Sequence, residues 1–267
     1  LSSPDIARRT AAVDAIARSP AADQLAALRG SIDNEPDPAL QAAIPAFAGV
    51  QGAVTFAGNM ESEMANLRDN KRDLIEGRAA LLVIDIQAST FTDNSAVRSI
   101  DNMPGYCDRM LLARKAIDAA RAADIPVIFI QEVHRPDHID FGRELDGDED
   151  VHCVEGHPNT DLAVEEMGIL PTDYRVPKRR YSAFFGTDFE ILLRGLRVDT
   201  LLLCGGLTDV CVHYTFVDGH QSDYFCRVIE DCVAGSSHEA HDAALRAMEY
   251  LQTGARRSLD EILTAMD

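Results

Sequence analysis

The sequence predicts an α/β fold: a doubly wound parallel sheet with helices on both faces, preceded by a helical N-terminal extension. Three observations predict it. From residue 78 onward, short apolar runs rich in β-branched residues alternate with amphipathic stretches of helical length. The runs AALLVIDI (79–86), PVIFIQEV (126–133) and TLLLCGG (200–206) are nearly continuous in hydrophobicity, as strands covered on both faces require. Residues 1–77 have a different texture, Ala-rich and punctuated by SerPro at 19–20, GluProAspPro at 35–38 and glycines at 49 and 52. The boundary therefore falls between an extension, 1–77, and a domain, 78–267.

Within the extension, helical patterns lie near 4–18, 20–31, 38–47 and 58–75. They carry no catalytic constellation and read as an arm on the main domain or on a neighbouring subunit, with an active-site lid as the alternative. In the domain, 79–86 is a buried strand, 105–123 an amphipathic helix and 126–133 a second strand. A long loop rich in His, Asp and Gly follows, HRPDHIDFGRELDGDEDVHCVEGHP (134–158); loops of this length in compact domains are functional or mobile. Residues 160–168 read as helix, DYRVPK (173–178) as strand, 189–196 as helix and 200–206 as strand. A helix at 211–221, a strand at 225–233 and a helix at 238–252 complete the alternation. Such sheets gather active groups at the carboxyl ends of their strands.

Composition narrows the function. An apolar fraction of 46% and a charged fraction of 26% are those of a water-soluble globular protein. No run of eighteen apolar residues exists, so no membrane span is expected. A net charge of −19 repels phosphate backbones and anionic lipid, which argues against nucleic-acid and membrane partners. The six cysteines include no CxxC pair, so zinc-ribbon and redox-motif readings fail. No secretory signal is visible, and a cytoplasmic location with reduced thiols is expected.

Three strand ends each deliver a distinctive group. Asp85 interrupts the apolar run LLVIDI, and a carboxylate there needs a partner or a function. Lys178 ends DYRVPK, just before ArgArgTyrSerAlaPhePhe; it can pair with Asp85 and hold a thiol as thiolate, or belong to a solvated basic cluster. Cys211 follows a strand, two glycines and a turn in TLLLCGGLTDVCVHYT. At the opening of a helix, its thiol pKa would be lowered and nearby amides would be free for an oxyanion. Cys204, Cys226 and Cys232 read as packed hydrophobes.

VIDIQASTFTD, VPKRRYSAFFGTDFE and CGGLTDVCVHYTFVDGHQSDYFCRVIEDCVAGSS resemble the three signature segments of the isochorismatase-like cysteine hydrolases, in the same order, over about residues 78–252. The resemblance implies an isochorismatase-like doubly wound sheet, commonly assembled as a homo-oligomer (dimer or tetramer). It implies catalysis by Asp85, Lys178 and Cys211: the thiolate attacks a carbonyl carbon, Asp85 relays protons, and Lys178 holds both charges. It also implies a cis Gly206–Leu207 peptide, with the amides of Leu207 and Cys211 as the oxyanion hole.

Cysteine at 211 favours hydrolysis of a C–N bond over a vinyl ether, with release of ammonia through a thioester-type intermediate. The segments 91–97, 134–142 and 178–185 look most like carbamoylsarcosine, biuret and ureidoacrylate amidohydrolases. On that resemblance Arg179 and Arg180 would bind a substrate carboxylate, Tyr181 and Phe184 would line the pocket, and Gln87 would donate to the substrate carbonyl or cap its loop. No cofactor and no metal are expected: the motif AspTrpHis of the nicotinamidases is missing, and Pro136 spoils a helical pairing of His134 with His138. His213, two residues beyond Cys211, does not share its helical face and is not the expected base. The competing readings are a non-catalytic small-molecule-binding or scaffold protein on the same fold, a nicotinamidase-type enzyme and a vinyl-ether hydrolase.

Overall fold

The computed structural model describes residues 73–92 and 100–267. The helices expected in the extension, and most of the segment 91–97, lie outside the described residues. Six parallel strands form one sheet in the order β3-β2-β1-β4-β5-β6. They are β1 (Ala79–Ile84), β2 (Val127–Glu132), β3 (Tyr174–Lys178), β4 (Thr200–Gly206), β5 (Phe225–Ala234) and β6 (Arg256–Arg257). The helices are α1 (Tyr106–Ala122), α2 (Val164–Met167), α3 (Phe189–Leu196), α4 (His213–Gln221), α5 (His238–Leu251) and α6 (Leu259–Met266).

The two faces of the sheet follow from the period of two along each strand. From β1, Leu81 and Val83 point into one core with Met110, Ala113 and Ile117 of α1 and Leu259 and Ile262 of α6. Ala80, Leu82 and Ile84 point the other way, against Phe189 and Leu193 of α3, Phe216 of α4 and Leu245 and Met248 of α5. Burial on both sides explains why these strands read as continuous apolar runs rather than as alternating ones. It also explains the helical layer on each face.

Helix boundaries have local causes. Ser237 caps α5 by accepting from the Ala240 amide. Ser258 and Glu261 form a reciprocal capping box on α6. The stretch expected as helix over 160–168 is helical only at Val164–Met167. Before it, Leu162 bridges Gln87 and the Ala163 amide bonds the Ile86 carbonyl, so tertiary pairing takes the backbone groups a longer helix would use. Strand β6 and helix α6 lie beyond the elements expected from sequence.

The order of strands places the site. β1 lies between β2 and β4, and successive connections leave it in opposite directions along the sheet. The crevice at such a switch point opens at the strands' carboxyl ends, where Asp85, Glu132, Lys178 and Gly206 sit. There β4 presses on β1: Gly205 has φ +115, and a Cβ on it would lie 2.0 Å from the Ile84 carbonyl oxygen. Only glycine satisfies both the backbone angle and the approach.

Candidate active site

Asp85, Lys178 and Cys211 converge on one cavity wall, as the sequence expects. Asp85 leaves β1 with φ +53, a left-handed conformation that a residue other than glycine adopts at a cost. This bend lets its Oδ1 accept from the Glu132 amide at 2.9 Å. Lys178 is fully buried. Its Nζ lies 2.8 Å from Asp85 Oδ2, 2.5 Å from Glu132 Oε2 and 3.4 Å from Cys211 Sγ. The Cys211 thiol donates to Glu132 Oε2 at 3.5 Å. The Gly206–Leu207 peptide is cis, and Gly206, Leu207 and Cys211 line a cavity of about 370 Å³.

The thiol's electrostatics differ from the expectation. Cys211 sits inside a single π-helical turn, Thr208–Val212, that precedes α4, and it is buried beside two carboxylates. Burial pushes its pKa well above the ordinary thiol value; Lys178 pulls it down, but Asp85 and Glu132 add to the rise. Cys211 is therefore held as a protonated thiol with acceptors at hand, not as a standing thiolate. A helix terminus and one lysine lower a thiol pKa in isolation, and here desolvation and two negative neighbours outweigh them.

The two carboxylates are not equivalent. Burial, opposed by Lys178 and reinforced by Glu132, raises Asp85 from 3.8 to about 6. Glu132 is equally buried, yet Lys178, His134 and His152 hold it well below the usual carboxylate range. Asp85 is thus the carboxylate able to gain and lose a proton near neutrality. Glu132 stays ionised and anchors Lys178.

Glu132 was not singled out in the sequence, although it closes the apolar run VIFIQEV much as Asp85 closes LLVIDI. Its Oε1 accepts from His152 Nε2 at 2.8 Å and from His134 Nε2 at 3.3 Å. Burial works against a charged His152, but the hydrogen bond to Glu132 and the nearby Glu144 carboxylate overrule it and raise the pKa to about 10. The ring's Nδ1 donates to the Asp150 carbonyl at 2.6 Å. His134 stacks on Phe141 with ring centroids 3.9 Å apart. The carboxylate of Glu144 is buried and neither oxygen has a hydrogen-bond donor, with Oε1 3.4 Å from His152 Nε2.

The loop's histidines gather in this cluster and not as the pair His134 and His138, whose helical pairing the sequence expects Pro136 to spoil. His138 is exposed, with φ +60 and its ring edge-on to Phe141, and it shares no ligand group with His134. Instead, donor atoms of Glu132, His134, Glu144 and His152 lie within 4.8 Å of one another. Two imidazoles and two carboxylates, one of them without a donor, suit a divalent ion. No spacing rule could have found the set, because its members come from a strand end and three places in one long loop.

The expected substrate-binding residues divide. Tyr181 lines the cavity. Phe184 does not: it packs edge-on against Phe189 in the core. Gln87 lines the cavity, but its Nε2 donates to the carbonyls of Thr160 at 2.6 Å and Glu132 at 3.1 Å. Both amide hydrogens are thus used in capping the loop, and none is left for a substrate. Arg179 bonds the Val133 carbonyl and Arg180 the carbonyls of Asp140 and Arg179. Neither lines the cavity: each guanidinium turns its Nη1 to backbone carbonyls instead. Tyr106, from the start of α1, is a wall residue the sequence did not suggest; a Cβ on Gly206 would lie 2.0 Å from its hydroxyl.

Residues 79–258 match the isochorismatase domain. The chain belongs to the isochorismatase family of hydrolases. It is 31% identical over 210 residues to the ureidoacrylate amidohydrolase RutB of Pseudomonas syringae, covering 70% of this chain and 83% of that one. An isochorismatase-like hydrolase from Alkaliphilus metalliredigens superposes with a TM-score of 0.63 at 27% identity, over 72% of this chain and all of that one. The pyrazinamidase of Pyrococcus horikoshii, solved in complex with zinc, does so with a TM-score of 0.58 at 26% identity, over 68% of this chain and 100% of its own. No described helix is long and apolar enough to cross a membrane.

Proposed function

We propose that this family member is a cysteine-dependent amidohydrolase that cleaves a C–N bond of a small amide, carbamoyl or ureido compound and releases ammonia. The observation that carries the reading is the contact of Cys211 Sγ with the buried Lys178 ammonium at 3.4 Å, beside a carboxylate poised near pH 6, on the wall of a small-molecule cavity. Relatives named for ureidoacrylate and pyrazinamide hydrolysis support it.

In the first half-reaction the thiol proton passes to Asp85 as sulfur bonds to the carbonyl carbon. The oxyanion is received by the amides of Leu207 and Cys211. Collapse of the adduct breaks the C–N bond, and Asp85 returns its proton to the departing nitrogen. Water then attacks the thioester or S-carbamoyl group, Asp85 takes the water proton, and sulfur leaves and is reprotonated. Lys178 keeps its proton throughout: burial opposes its charge, but Asp85, Cys211 and Glu132 raise its pKa well above the usual value. Its charge offsets negative charge on sulfur, which the site stabilises only when attack begins. A divalent ion held by Glu132, His134, Glu144 and His152 would supply fixed positive charge and Lewis acidity at this side of the cavity.

The test is ammonia release over a panel of primary amides, carbamoyl amino acids, biuret and N-alkylureas, with intact-mass analysis of the quenched enzyme. Turnover with a substrate-derived adduct on Cys211 is expected. Full turnover by Cys211→Ser on every accepted compound would overturn the assignment.

A further inference from the structure

The catalytic wall leaves open which compounds enter the cavity, and the remaining walls bear on that. Three carboxylates line it: Asp85 and Glu132, whose charges Lys178 and His152 offset, and Glu149. Among the described residues, no lysine or arginine side chain does. Lys178 lies beneath the lining and is already committed to Asp85, Glu132 and Cys211. The two arginines best placed in sequence to receive an anion, Arg179 and Arg180, donate to backbone carbonyls instead. The histidine ring of His152 is turned to Glu132, and that of His157 accepts from the Asn159 amide.

Glu149 is the carboxylate without a task. Asp85 and Glu132 both hold Lys178. Glu149 stands on the long loop, its Oε2 is buried, and no hydrogen-bond donor reaches that atom. A buried carboxylate oxygen left without a donor is costly, and a ligand that supplies one relieves the cost. A ligand that instead brings a second carboxylate meets like charge in a confined space.

We propose that the substrate is a small amide or ureide that lacks a carboxylate and carries an ammonium or N–H group, which Glu149 receives across the same cavity that holds Cys211. The inference rests on the amidohydrolase reading and narrows its substrate class, away from ureido acids. Glu149 acts here as a specificity-determining residue and takes no part in bond breaking.

Two arms test it on the full chain. The first reads the cavity's charge without any hydrolysis. Cys211 is alkylated with iodoacetate, iodoacetamide or 2-bromoethylamine, and the label is located by peptide mapping so that Cys153, which also lines the cavity, is counted separately. Relative to the same ratios on free cysteine, iodoacetate should lag iodoacetamide by about tenfold and 2-bromoethylamine should gain on it. Glu149→Gln should recover most of each shift on a logarithmic scale, since Lys178 and His152 offset the charges of Asp85 and Glu132. Charge ratios unmoved by Glu149→Gln would overturn the role of Glu149. The second arm measures ammonia from N-(2-aminoethyl)urea, N-propylurea and 3-ureidopropionate. The expected order places the first two at least about tenfold ahead of the third in kcat/KM. Cys211-dependent turnover led by 3-ureidopropionate would overturn the inference and leave the amidohydrolase reading standing. Charge-selective labelling with no ammonia from these ureas or from the amide panel would overturn the amidohydrolase reading, and the substrate claim with it.

Discussion

The cavity has two kinds of wall, and they are built differently. One is made of strand ends: Asp85 after β1, Glu132 at the end of β2, Lys178 at the end of β3 and the Gly206–Cys211 turn after β4. Each group there is fixed by a sheet whose two central strands, β1 and β4, are buried throughout, and each is tied to another by a short contact. The other wall is the loop 134–158, which supplies Glu149, His152, Cys153 and His157. The loop contributes no element longer than a three-residue turn. It is held by side chains reaching its backbone, such as Thr160 to the Val154 carbonyl and Arg180 to the Asp140 carbonyl. Rigid strand ends set the reacting groups to within hydrogen-bond distances. A loop can change its side chains without disturbing the sheet, and so suits selection. On the proposed function, the chemistry would rest on the rigid wall and the choice of substrate on the variable one.

Removing the strand-end nucleophile should have the largest effect. Cys211→Ala should lower ammonia release by about 10⁴-fold or more in a steady-state assay, with the melting temperature little changed. Breaking the charge balance behind it comes next. Lys178→Met leaves Asp85 and Glu132 buried without their ammonium, and should cost about 3–5 kcal/mol in urea unfolding. A mid-sized effect on the same wall is Gly205→Ala. With φ +115 and the Ile84 carbonyl oxygen 2.0 Å from the new Cβ, β1 and β4 must part, at about 2–3 kcal/mol.

The pH profile reads the wall's electrostatics. Asp85 must start ionised to take the thiol proton, and burial raises its pKa to about 6. Activity should therefore rise as pH climbs through about 6 and fall away tenfold per unit below it, in kcat/KM measured from pH 4 to 8. A flat profile across that range would remove Asp85 as the base. The smallest effect belongs to the loop. Arg180→Ala should change kcat/KM by less than about twofold for any accepted substrate, because the guanidinium faces the Asp140 carbonyl rather than the cavity. A large and carboxylate-specific loss would return Arg180 to the binding site and weaken the contrast between the walls.

The alternation of buried runs with amphipathic stretches was enough to determine the parallel sheet, its helical layers and most boundaries: 189–196 and 200–206 match α3 and β4 residue for residue. Periodicity reports burial, and in a doubly wound sheet burial follows closely from strand order. Asp85 and Cys211 each break a local rule, a charge in an apolar strand and a thiol after a glycine turn, but only the family resemblance joined them to Lys178, which by its own segment could equally belong to a solvated basic cluster. Tertiary structure alone decided what those groups face. Glu132 joins them only because β2 lies between β1 and β3, which hydrogen-bond pairing fixes and local pattern does not. The arginines and Phe184 were misplaced for the same reason, and only packing decided that Gln87 caps its loop, since residue type gives a side chain's capability and packing gives its direction. The thiol's protonation is the sharpest case. Dipole and lysine are legible along the chain, but desolvation and the approach of two carboxylates are long-range properties, and these dominate in a buried site.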